Sequence, residues 1–240
     1  MKFDVNSNKY TFIFSAVMVI IVAFVLAMAS ESLRPFQQSN IRREKMQNIL
    51  LACGIQVERD EAETAYDKYI GADNEIMLNK DGKVVEKPEQ RPFEVDVLYE
   101  YKSGGQQHFP VFKCKLDNGE VLYVLPMVGK GLWGPIWGYA AVADDFNTIK
   151  GATFDHKGET PGLGAEISKE AFGKQFIGKK IFDEDMEFAS VKVVKGGADP
   201  SDEHGVDAIS GGTITSNGVS EMLHRTFKAY EPYLKSKMNS

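Results

Sequence analysis

Apolar and polar positions alternate along this chain in three different ways. The first is no alternation at all. From Tyr10 to Ala29 the sequence reads YTFIFSAVMVIIVAFVLAMA, without a charge or a proline. As a helix this run is roughly 30 Å long, the thickness of a hydrocarbon core, and it predicts a transmembrane helix. The competing reading is a cleaved secretory leader, for which Ala27 to Ala29 offers a small-residue site. Leader cores usually run about 7–15 residues, and this one is longer.

The second regime has a helical period. In SNIRREKMQNILLACG, Ser39 or Asn40 can cap a helix, Met46, Ile49 and Leu50 share one face, and Gly54 can end it. Cys53 in LLAC resembles an acylation site by composition. It follows a basic helix rather than an apolar core, so it reads as an ordinary buried cysteine. A further polar helix is expected over Arg59 to Ile70, after which Pro88 and Pro92 punctuate a charged loop.

The third regime is β-branched and aromatic. FEVDVLYEY, FPVFKCKL and VLYVLPMV read as strands parted by SGG and DNG turns. IWGYAAVADD, TIKGATFDH and FASVKVVKG continue the style, with a short amphipathic helix, SKEAFGKQFIGKKI, before the last of them. At the carboxyl end Val219, Met222, Leu223, Phe227 and Tyr230 form one helical stripe. Antiparallel strands with flanking helices and no βαβ alternation predict an α+β domain behind a single amino-terminal transmembrane helix. No internal repeat is visible.

Composition narrows the chemistry. A net charge of −6 argues against nucleic acid as a partner. With two cysteines and four histidines, none at zinc or iron–sulfur spacing, no metal site is expected. Redox chemistry would then fall to an organic cofactor. Charge does not settle topology: Lys2 and Lys9 precede the apolar run, while Arg34, Arg42, Arg43 and Lys45 follow it.

Three glycine-bearing segments are candidates for ligand contact. GKGLWG at 129–134 fits G-x-G-x-x-G, but Pro135 and strand-like residues follow where a dinucleotide site needs a helix. A turn, with Trp133 and Trp137 packing on or near a site, is the better reading. HKGETPGLGAEI at 156–167 is a rigid loop in which Glu159, Thr160 and Leu163 set polar and apolar contacts side by side. Such a loop suits a surface turn or a flat aromatic ligand. DAISGGTITSNG at 207–218 places hydroxyls around Gly211 and Gly212 just before a helix, a turn able to accept a phosphate or simply to cap the helix. It lacks the lysine of a Walker loop.

Taken together, DAISGGT, GETPGLGAEI, GKGLWG and the anchor resemble the C subunits of the Na⁺-translocating NADH:quinone oxidoreductases, over most of the 240 residues. DAISGGT resembles the flavinylation signal Asp-x-x-Ser/Thr-Gly-Ala-Thr, whose last threonine carries FMN by a phosphoester. The resemblance implies covalent FMN on Thr213. It implies that Asp207 and Ser210 are read by a separate FMN transferase using FAD as donor, and that Gly211 and Gly212 admit the phosphate. Glu159, Thr160, Gly162, Leu163 and Gly164 match the loop along the isoalloxazine, with Trp133 a weaker candidate for the same pocket. Position 212 departs from the signal, being Gly where Ala is usual.

The family further implies an electron relay, with no acid–base pair of its own, from NADH-side subunits to this FMN, a second FMN and quinone. The implied location is the bacterial inner membrane with the FMN domain in the periplasm. The implied boundaries are 1–9 as a cytoplasmic segment, 10–29 as the transmembrane helix, 30–90 as a helical connection and 91–240 as the covalent FMN-binding domain. The G subunit of RNF-type complexes shares the anchor and both signals. The helix around NILLACG and the strand-rich middle favour the quinone reductase. An anchored, non-redox binding module is the alternative outside redox chemistry.

Overall fold

The computed structural model describes residues 7–239. Of the segment expected at 1–9, positions 1–6, Lys2 among them, lie outside the described residues. The chain divides into two compact units, one up to Glu44 and one from Lys45 onward. The first consists of most of helix α1 (Asn8–Ala52), whose apolar run carries no buried residue and is long and apolar enough to cross a membrane. No new helix starts at Ser39 or Asn40, where the sequence predicts one: α1 passes through both. The surrounding Gln, Arg, Glu, Lys and Met residues are good helix formers, and Pro35, which removes one N–H, is accommodated within the helix. Its end is set by Gly54, which takes φ +79° just past the last turn.

The second unit is built on five antiparallel strands in sequential order: β1 (Glu75–Leu78), β2 (Phe109–Lys115), β3 (Val121–Lys130), β4 (Pro135–Val142) and β5 (Ile149–His156). Both faces are covered. On one, Val111, Leu125, Met127, Ile136 and Ala140 pack under the carboxyl-terminal helix α5 (Thr213–Met238). On the other, Phe112, Cys114, Val124 and Ala141 meet the end of α1 and Tyr66 of α2 (Ala62–Tyr69). Double coverage explains why these strands read as nearly continuous apolar runs rather than as alternation. Cys53 and Cys114 lie in this second cluster as buried free thiols.

One expected strand is a helix. FEVDVLYEY forms a 3₁₀ turn at Pro92–Glu94 and then α3 (Val97–Lys102). Asp96 accepts the Tyr99 N–H at 2.9 Å, and this cap outweighs the strand preference of the valines and tyrosines around it. The helix expected over SKEAFGKQFIGKKI is α4 (Glu170–Lys174), preceded by a 3₁₀ turn at Gly164–Ser168. A short parallel pair, β6 (Lys192–Val194) and β7 (Gly205–Asp207), delivers the chain to the start of α5.

Candidate functional site

GKGLWG is a hairpin turn. Lys130 and Pro135 pair as the last residue of β3 and the first of β4, and the Gly131 N–H donates to Gly134 O at 2.8 Å. No helix follows, so the dinucleotide reading is excluded. The amino-terminal half of α5 lies against this hairpin because two glycines allow close approach. A Cβ on Gly129 would come within 2.7 Å of Met222 Cβ, and one on Gly218 would run into the Lys130 carbonyl.

The loop from His156 to Gly164 completes the arrangement. Glu159 is buried at 5% exposure. Its Oε1 accepts the Trp133 main-chain N–H at 2.8 Å, and its Oε2 accepts the Thr215 hydroxyl at 2.6 Å. Its own N–H donates to His156 Nδ1 at 3.1 Å. Neither Gly131 nor Gly164 has room for a side chain, because the Glu159 carboxylate fills that space in both cases. Gly162 takes φ +75° and donates to Glu166 Oε1, which turns Leu163 outward.

Between these parts lies a cleft of about 220 Å³ lined by Leu132, Glu159, Thr160, Leu163, Gly164, Gly211, Gly212, Thr213, Ile214 and Thr215. Sites that enclose a whole drug-sized ligand run from roughly 300 to 1,000 Å³. A drug-sized ligand seated here would therefore extend beyond it. Leu132, Leu163 and Ile214 are all more than 40% exposed and offer apolar contacts at the cleft.

Thr213 is the first residue of α5, and its side chain is exposed. Gly212 precedes it, and among the described residues no side chain caps the helix, so the first-turn N–H groups are left as orphan donors. Gly211 holds φ +73°, and a Cβ there would press on Leu163 Cδ2 at 2.6 Å. At Gly212 a methyl, as in the alanine usual in the signal, would sit 3.0 Å from Ile209 Cγ2, a tight contact that the isoleucine would have to ease. The DAIS segment is tied to the helix by the Ile209 N–H, which donates to Ser216 Oγ at 3.1 Å.

Of the residues singled out in the sequence, Thr213, Gly211, Gly212, Glu159, Thr160, Leu163 and Gly164 come together at the cleft. Gly162, Ser210 and Asp207 are exposed but outside its lining. Asp207 accepts the Ala198 N–H at 2.8 Å and so orders the KGGADP loop. Trp133 is 69% exposed and does not line the cleft; its main-chain N–H is what contributes. Trp137 packs beside Met77, Val95 and Val128 instead. Sequence reasoning misses Leu132 and Ile214, and it reads Thr215 only as one hydroxyl among several. The helical period is the signal that singles Thr215 out, since it stands four and seven residues before the buried Val219 and Met222.

This donor set fits a flat aromatic ligand with an anionic tail: uncapped helix amides for the anion, glycines where a side chain would block approach, and apolar side chains for a ring. Comparison with known proteins agrees. Residues 131–228 match the FMN-binding domain family. The C subunit of the Na(+)-translocating NADH-quinone reductase of Haemophilus ducreyi is 33% identical over 97% of this chain and 95% of its own length. That of Vibrio campbellii is 32% identical, with 83% of each chain covered. The crystal structure of the corresponding C subunit from Parabacteroides distasonis superposes with a TM-score of 0.75 at 44% identity, covering 84% of this chain and 96% of that one.

Proposed function

The chain belongs to the family of C subunits of the Na(+)-translocating NADH-quinone reductases, and on that footing we propose that it carries its FMN through a phosphoester to the Thr213 hydroxyl. As a member, it is an electron-transfer subunit of a membrane oxidoreductase complex and works with that complex's other subunits. Bound FMN supplies the reversible electron uptake that no side chain in the cleft offers.

The observation that carries the attachment is the contrast between two threonines in the first turn of α5. Thr213 is exposed at the cleft, and among the described residues its hydroxyl has no hydrogen-bond partner. Thr215 is 1% exposed and donates its hydroxyl to Glu159. The α5 amino terminus stabilises a phosphate on Thr213 through its amides and its positive end. Leu132, Leu163 and Ile214 give the isoalloxazine an apolar seat, with Thr160, Gly162 and Gly164 shaping the loop beside it. Gly211 and Gly212 keep the approach open. Glu159, the one ionisable side chain lining the cleft, is already engaged by the Trp133 N–H and the Thr215 hydroxyl, so activation of the Thr213 hydroxyl falls to an external FMN transferase using FAD. Asp207 and Ser210, exposed upstream, serve as its recognition points.

Residues 10–29 form the membrane anchor in this reading, and the domain faces the periplasm of the inner membrane. Electrons arriving from NADH pass through this FMN toward a second flavin and quinone. Coexpression with the transferase, followed by in-gel flavin fluorescence of the denatured chain, tests the attachment. Wild type fluoresces and Thr213→Ala does not; covalent flavin retained in Thr213→Ala would overturn it.

A further inference from the structure

Glu159 stands out in this cleft because both its oxygens are already engaged by the protein. The carboxylate bonds one end of the β3–β4 turn, through the Trp133 N–H, to the third residue of α5, through the Thr215 hydroxyl. It also sits where side chains on Gly131 and Gly164 would otherwise be, so the turn, the 156–164 loop and the helix start converge on this one group. A main-chain N–H can only donate, so Oε1 acts as acceptor there. Among the residues lining the cleft it is the one carboxylate, and so the one source of negative charge there.

We propose that Glu159 is a positioning residue, acting through Thr215 and the Trp133 amide to fix the start of α5 and Thr213, while its charge lowers the reduction potential of the flavin held at the cleft. This rests on the reading that Thr213 carries the flavin. Adding electrons to a flavin beside a fixed negative charge is disfavoured by Coulomb repulsion, and a partly buried cleft screens that repulsion less than water does. Positioning follows from connectivity. Without the carboxylate, the Trp133 N–H and the Thr215 hydroxyl lose their partner, and the helix start loses this tie to the hairpin turn.

Two substitutions separate the effects. Glu159→Gln keeps the shape and both bonds: the amide oxygen accepts from Trp133 and the amide nitrogen donates to Thr215 Oγ1. It removes only the charge. Glu159→Ala removes charge and bonds together. The full chain, coexpressed with the FMN transferase and purified in detergent, is read by in-gel flavin fluorescence and by spectroelectrochemical titration. Glu159→Gln is expected to titrate at a more positive potential than wild type and to load more flavin than Glu159→Ala. Glu159→Ala is expected to load several-fold less. An unchanged potential in Glu159→Gln, or full loading in Glu159→Ala, would contradict the proposal. A wild-type chain without covalent flavin would instead remove the attachment on which it rests.

Discussion

Among single residues, the site depends on which hydroxyl is free. Thr213 and Thr215 are chemically the same, and the helix turns one outward and the other onto Glu159. Thr215→Ala should therefore keep a fluorescent band, weaker than wild type because the tie to Glu159 is lost, where Thr213→Ala has none. Its other cost is in stability. Leaving one oxygen of a buried carboxylate without its partner costs about 1–3 kcal/mol, to be read as a lower urea midpoint. A folded Thr215→Ala chain with no band, beside a fluorescent Thr213→Ala, would mean that the attachment point has been misplaced. At position 212 an added methyl would press on Ile209, so Gly212→Ala requires that side chain to shift slightly.

Among the elements, the cleft exists because α5 lies very close to β3. Replacing a helical glycine by alanine ordinarily gains up to about 1 kcal/mol in propensity. At Gly218 the new methyl would run into the Lys130 carbonyl, and overpacking of that kind costs about 1–3 kcal/mol. The steric term wins, so Gly218→Ala should lower the urea midpoint. A raised midpoint would mean that the helix does not pack as described. The same packing buries Tyr230, whose hydroxyl donates to Pro110 O at 2.8 Å, and Tyr233. Burial raises the pKa of Tyr230 and pushes that of Tyr233 up to about 12; on the opposite face of the sheet, burial and then Glu75 raise that of Tyr66. Because the folded values lie above the unfolded one near 10, the stabilisation is full below about pH 10 and is lost as pH rises through the folded values. Urea midpoints measured from neutral pH to about pH 11 should hold and then fall, with tyrosinate absorbance rising as the protein unfolds.

Across the molecule as a whole, much of the plan is legible in the sequence and some is not, for reasons specific to each segment. The uncharged run at 10–29, most of the sheet's strands and the apolar stripe of α5 are visible because burial imposes period or length directly. FEVDVLYEY misleads because its valines and tyrosines favour strands, while the Asp96 cap that decides for a helix is one bond. The continuity of α1 through Ser39 and Asn40 is hidden because good capping residues need not cap where the flanking residues continue the helix. At the cleft, the motifs name the segments but not their meeting point. Glu159 bonds residues 26 and 56 positions away, a relation that no local pattern carries. For the anchor, membrane pellets washed with carbonate should retain the full chain and release one lacking residues 10–29. Retention of the truncated chain would show a second membrane attachment. Everything proposed for the cleft turns on where the flavin is joined to the chain, and mass spectrometry of the peptide containing Thr213 decides it. Attachment as proposed requires a peptide heavier by FMN less water, with the added mass on Thr213. An unmodified peptide from chain made with the transferase, or the added mass on Thr215 or Ser210, would contradict it.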